Sequence, residues 1–133
     1  MTENIVGVKY LRVNKIKSAE AMETILKKRR LELSFKRYKE ACIRLRNAVD
    51  FLYKRGATEV YTFGSITDPE RFTEHSDIDI AVKGISKEKS LEVEGMLQDI
   101  LGDFEYDILF LEEDDIRKEI LNKIKEEAVL WKP

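Results

Sequence analysis

Two aspartates, Asp77 and Asp79, flank a single isoleucine in the stretch Ser76-Asp77-Ile78-Asp79-Ile80-Ala81-Val82. Side chains alternate along an extended strand. Both carboxylates therefore fall on one face, about 6.6 Å apart along it, while Ile78, Ile80 and Val82 turn to the other. Like charges this close raise each other's pKa. A divalent cation relieves that repulsion, and a hard oxygen donor pair suits Mg²⁺, which keeps its other positions for water and phosphate oxygens. Asp-x-Asp is nevertheless common, and taken alone it reads better as an exposed acidic strand face.

Gly64-Ser65 shifts the balance. It closes an apolar run and stands 11 residues before Asp77. Glycine lets backbone approach a ligand with no Cβ in the way. The amides that follow, with the Ser65 hydroxyl, can donate to phosphate oxygens. A bare metal needs no such bend, whereas a metal-bound nucleoside triphosphate does. Asp107 is the third carboxylate, set in the apolar run Glu105–Leu111, where a charge is costly unless paired or bound to metal. Its plain alternative is an edge-strand residue facing water. Three carboxylates from two strands can hold two cations about 3.5–4 Å apart and clamp both oxygens of a phosphoryl displacement. Asp107 is also placed to accept the proton of an attacking hydroxyl.

Other chemistry is poorly supplied. Cys42 is the only cysteine and His75 the only histidine. An internal disulfide and a multi-histidine zinc site are thereby excluded. Cys42 reads as packing within a helix, and His75 as a surface or structural residue beside the acidic motif.

The elements that must position these residues follow from periodicity. Ile5–Val13 mixes β-branched, aromatic and basic residues and suggests a short strand or ordered arm. Ser18 can cap a helix, and residues 19–55 contain neither glycine nor proline. Met22, Ile25, Leu26, Leu33, Ala41, Cys42, Leu45, Ala48, Val49 and Leu52 recur mostly at helical spacing, with a break expected near Leu33–Phe35 and a stop at Gly56. Strands are expected at Thr58–Phe63, Asp77–Val82 and Glu105–Leu111, with a loop, carrying at most one helical turn, over Ile66–Ser76. Lys87–Leu101 reads as a helix presenting Leu91, Met96, Leu97 and Leu101. Ile116, Ile120, Leu121 and Ile124 mark a last helix before the tail Ala128–Trp131. The expected class is α/β (α+β), a small mixed sheet of three to four strands packed by helices.

Phe63-Gly64-Ser65, the 11-residue spacer and Asp77-Ile78-Asp79, followed by Tyr106-Asp107-Ile108, resemble the signature of the DNA polymerase beta-type nucleotidyltransferase superfamily. The similarity covers about residues 41–131. The short length resembles the minimal nucleotidyltransferase branch, whose members pair with helical HEPN proteins as toxin–antitoxin systems. The resemblance implies a domain at 41–133 behind an N-terminal extension at 1–40. It also implies Mg²⁺-dependent transfer of a nucleoside monophosphate, commonly AMP from ATP, to a hydroxyl, which can be a tyrosine of a HEPN-type partner. By position, Gly64 and Ser65 would hold the triphosphate. Asp77, Asp79 and Asp107 would bind metal, and Asp107 would act as base.

Composition sets the frame. The chain has 133 residues, 43% hydrophobic and 38% charged, enough for one globular domain. No apolar run approaches the roughly 20 residues that span a bilayer, so no membrane contact is expected and the default compartment is the cytoplasm. Net charge is −2, yet residues 1–55 carry 15 Lys/Arg against 6 Asp/Glu and residues 56–133 carry 9 against 20. Such a split leaves an acidic protein or nucleic acid open as a partner of the first half, beside plain solvation. A non-catalytic module that neutralises a partner by binding is the alternative from another class. Small-molecule adenylylation ranks lower, because a partner chain or a homodimer would have to wall the acceptor pocket.

Overall fold

Alternating apolar residues in three short runs build a sheet, and helical runs cover it. The computed structural model describes the backbone of residues 2–111 and 118–133, and the side chains of 18–111, 119 and 121–133. The chain divides into two compact units, Met1–Ser34 and Phe35–Pro133.

Helix α1 is Thr2–Lys54. It takes up the stretch Ile5–Val13, expected as a strand or arm, and shows no break near Leu33–Phe35. Lys, Arg, Glu, Leu and Ala dominate it, and their helix propensity outweighs a few β-branched residues. Only the second half of the apolar series is core: Ala41, Leu45, Ala48, Val49 and Leu52 are fully buried, whereas Met22, Ile25, Leu26 and Leu33 are exposed. Gly56 takes φ +107° just after the helix, a conformation that glycine adopts freely.

The sheet has four strands in the order β3-β2-β1-β4. They are β1 (Glu59–Phe63), β2 (Ile78–Lys83), β3 (Tyr106–Phe110) and β4 (Val129–Trp131). β1 pairs antiparallel with β2 and β4, and β2 pairs parallel with β3 across helix α2 (Lys87–Leu101), so the sheet is mixed as expected. Val60, Thr62, Ile78, Ile80 and Val82 face the α1 and α2 side and are buried. On α2 the buried face is Val93, Leu97 and Leu101, whereas Leu91 and Met96 are exposed. Leu91 and Met96 are displaced around the helix from the 93-97-101 row, and the expected grouping fails there.

β4 is a strand where only a tail was expected. Trp131 Nε1 donates to Thr62 Oγ1 at 2.8 Å, and the Tyr53 hydroxyl donates to the Trp131 carbonyl. Helix α3 (Lys118–Glu127) precedes it, with Ile124 buried. The expected helix position Ile116 lies outside the described residues. Among the described residues no helix is long and apolar enough to cross a membrane.

Candidate active site

β1 ends at Phe63, and Gly64 opens a single 3₁₀ turn, Gly64–Thr67. Thr67 Oγ1 donates back to the Gly64 carbonyl at 2.7 Å. Phe63 lies opposite Asp79 in the antiparallel ladder, which brings Gly64 against that carboxylate. Gly64 has φ +74°, and a Cβ built on it would sit 2.5 Å from Asp79 Oδ2. Only a residue without a Cβ permits this approach.

Asp79 also lies directly opposite Asp107 in the parallel ladder. Asp77 precedes β2 by one residue and shares the Asp79 face. Asp79 is half-buried, and its carboxyl is pushed up to about 6, first by loss of solvent and then by the charges of Asp107 and Asp77. Asp107 is exposed on β3, at the edge of the sheet. Gly64, Asp77, Asp79 and Asp107 are thus brought to one place, with Ser65 in the turn beside them. His75 is exposed and 3.5 Å from Glu74 Oε1. Cys42 lies on α1, part-buried and close to Tyr38, whose hydroxyl is pushed up to about 12 chiefly by burial and by Cys42.

The donor set suits a hard cation. Carboxylate oxygens that repel one another in a partly dehydrated place gain most from Mg²⁺. As they stand, no three His, Cys, Asp or Glu side chains among the described residues close around a common point. The arrangement is a mouth lined with acids, and substrate oxygens would have to complete any coordination shell.

The model of the family described as polymerase beta, nucleotidyltransferase matches residues 46–131, well over half of the chain. The chain belongs to the polymerase beta nucleotidyltransferase family. No curated protein matches it. Solved structures share its fold. A toxin–antitoxin complex with AMP-PNP is 21% identical with a TM-score of 0.52, over 65% of this chain and 73% of that one. A tyrosine-to-alanine variant of the toxin–antitoxin MntA–HepT is 22% identical with a TM-score of 0.51, over 65% and 71%. The unsubstituted MntA–HepT gives 18% and 0.50, over 68% and 72%.

Two residues of this nucleotidyltransferase act on the acids without appearing in any motif. Lys123 on α3 opposes the rise in the Asp79 pKa, so a cation from the last helix reaches the acidic face. The same helix roofs a cavity of about 390 Å³ on that face, lined by Tyr61, Lys83, Leu121, Ile124 and Lys125 among others. Arg37 is the second. Its guanidinium lies 4.6 Å from the Phe104 ring centre and 5.8 Å from that of Phe72, and donates to the Ser76 carbonyl at 3.4 Å. Phe72, fully buried, anchors the loop between Gly64-Ser65 and Asp77 and packs edge-on against Tyr38 at 5.6 Å. Thr73 N donates to Ser76 Oγ at 2.8 Å and closes the loop just before Asp77. A sequence signal for Arg37 exists: it extends the Ala41-Leu45-Ala48-Leu52 row one turn backward, a cation on an apolar stripe.

Proposed function

We propose that this nucleotidyltransferase is Mg²⁺-dependent and moves AMP from ATP onto a hydroxyl, releasing pyrophosphate, with a tyrosine of a HEPN-type toxin partner as acceptor. One observation carries the reading: Asp79 is pressed between Gly64 and Asp107, joining a phosphate-accessible bend to paired carboxylates. The resemblance of the motifs to minimal nucleotidyltransferases supports it. So does a fold shared with a toxin–antitoxin complex holding AMP-PNP.

In this reading Gly64 and the Ser65 hydroxyl hold the triphosphate, and Asp77, Asp79 and Asp107 hold the metal. Mg²⁺ bound there, as one ion or two, supplies neutralisation of the triphosphate charge. Asp107, the most solvent-facing of the acids, accepts the proton of the incoming hydroxyl. Lys123 adds positive charge at the mouth. Phosphoryl transfer asks little covalent chemistry of the protein, so positioning and electrostatics carry the rate.

The test is incubation of the chain with labelled ATP, Mg²⁺ and a HEPN-type partner. Label on the partner's tyrosine is expected with the native chain and not with Asp79→Asn. Partner neutralisation without label, unchanged in Asp79→Asn, would instead establish the binding-only reading.

A further inference from the structure

The stretch Ser18–Leu33 of α1 presents an apolar stripe with no cover among the described residues. Every side chain in it is exposed, including Met22 at 56%, Leu26 at 47% and Leu33 at 60%. Ala19, Met22, Leu26 and Leu33 recur at spacings of three, four and seven, so they share one face, with Ile25 on its shoulder. An apolar stripe of this kind, interrupted on its face by Arg29 and Arg30, marks a contact surface.

Charge on the same stretch is ordered along the axis. Glu20 and Glu23 occupy its first half, and Lys27, Lys28, Arg29 and Arg30, against the single acid Glu32, make its second half net basic. Glu23, Lys27 and Arg30 line one shallow furrow with Leu31 and Ser34, so acid and base share a flank. None of these charges forms an ion pair among the described residues, although Glu23 and Lys27 are four apart. A uniformly acidic partner would meet repulsion at Glu20 and Glu23, and a uniformly basic one at Lys27–Arg30. A second copy laid antiparallel satisfies both halves at once.

We propose that Ser18–Ser34 is a dimerisation element, pairing with the same segment of a second copy as an antiparallel helix pair. The two-fold axis passes near Leu26–Lys27. Glu23 of each copy then faces Arg30 of the other, and Met22 of each lies toward Leu33 of the other. Such an interface is isologous, so each pairing occurs twice. This inference rests on the exposed stripe and its charge order and is independent of nucleotidyl transfer.

Sedimentation equilibrium of the full chain over a range of concentrations tests it. A monomer–dimer equilibrium is expected. Glu23→Arg and Arg30→Glu should each weaken it by about tenfold, because two surface pairs become two repulsions. The double variant Glu23→Arg/Arg30→Glu should recover the dimer, and so should an equal mixture of the two single variants. Circular dichroism checks that these exposed positions leave folding intact. A chain monomeric at every concentration overturns the proposal. So does a dimer indifferent to both reversals, or one that the double variant fails to restore. A monomer that uses this stripe to bind a HEPN-type protein overturns it as well.

Discussion

Gly64 and Asp79 are in contact across the end of the β1–β2 ladder, so close that a methyl group on Gly64 would overlap the carboxylate. Replacing Gly64 with alanine therefore has two effects. The residue must hold φ +74°, which costs roughly 1 kcal/mol for a side chain bearing Cβ. Asp79 must also turn away from the mouth. Misplacement on that scale costs about 10²-fold in rate, and Gly64→Ala should lose nucleotide transfer by that factor while keeping its circular dichroism spectrum. Gly95 is the control. It lies within α2 with open space where a Cβ would go, and Gly95→Ala should be stabilising by about 0.5–1 kcal/mol with activity intact.

The raised pKa of Asp79 makes stability depend on pH. Its folded value of about 6 lies above the ordinary 3.8 because burial, Asp107 and Asp77 all disfavour the charged form. The folded state therefore binds more protons between the two values, and stability falls as pH rises from about 4 through 6. Asp79→Asn removes that ionisation. Without metal it should melt at or above the native chain at pH 7, with the difference shrinking below pH 4. Mg²⁺ should raise the native Tm at pH 7, less at pH 5, and leave Asp79→Asn unmoved. Thermal melts at those pH values, with and without Mg²⁺, decide the point. A metal-free Asp79→Asn less stable than the native chain at pH 7 would contradict it.

How much of this was legible depends on the range of the physics involved. The shared face of Asp77 and Asp79, and the buried opposite face of Ile78, Ile80 and Val82, follow from two-residue alternation. The pairing of Asp79 with Asp107 does not, because it requires the register of two strands separated by α2. The sequence offered it as one reading of three carboxylates from two strands, beside an edge-strand residue facing water, and the family resemblance favoured the first. β4 was missed for a similar reason: three residues carry little periodicity, and their strand exists because Trp131 finds Thr62 and Tyr53 far back in the chain. Met22, Ile25, Leu26 and Leu33 show the opposite failure. Helical spacing reports that residues share a face, not what covers that face.

Arg37 links the first helix to the loop that delivers Asp77. Its stacking on Phe72 and Phe104 and its bond to the Ser76 carbonyl act together. Arg37→Met should destabilise the fold by about 2–3 kcal/mol, given that desolvated cation–π contacts reach about 2 kcal/mol each. Arg37→Lys keeps the charge but loses the planar fork. It should recover part of the melting temperature while kcat stays low and KM for ATP changes little. Steady-state kinetics beside thermal melts separate the two effects. Recovery of stability together with full kcat would reduce Arg37 to a packing residue.

The bond between Trp131 and Thr62 ties the last strand to the core, and a double-mutant cycle measures it. Thr62 is the only buried polar residue among those described, at 2% exposure, and Trp131 Nε1 donates to its hydroxyl at 2.8 Å. Trp131→Phe keeps an aromatic ring near Arg46, which lies 5.7 Å from the indole centre, but leaves the hydroxyl without that donor. The cost is about 1–3 kcal/mol, or a Tm lower by roughly 4–11 °C. Thr62→Val strands the indole N–H instead and should cost a similar amount. Removing both partners leaves neither group unpaired, so the double variant should be more stable than the sum of the single losses predicts. Strict additivity would mean that β4 is held by its ladder and by Tyr53 alone, and that the Trp131–Thr62 bond contributes nothing.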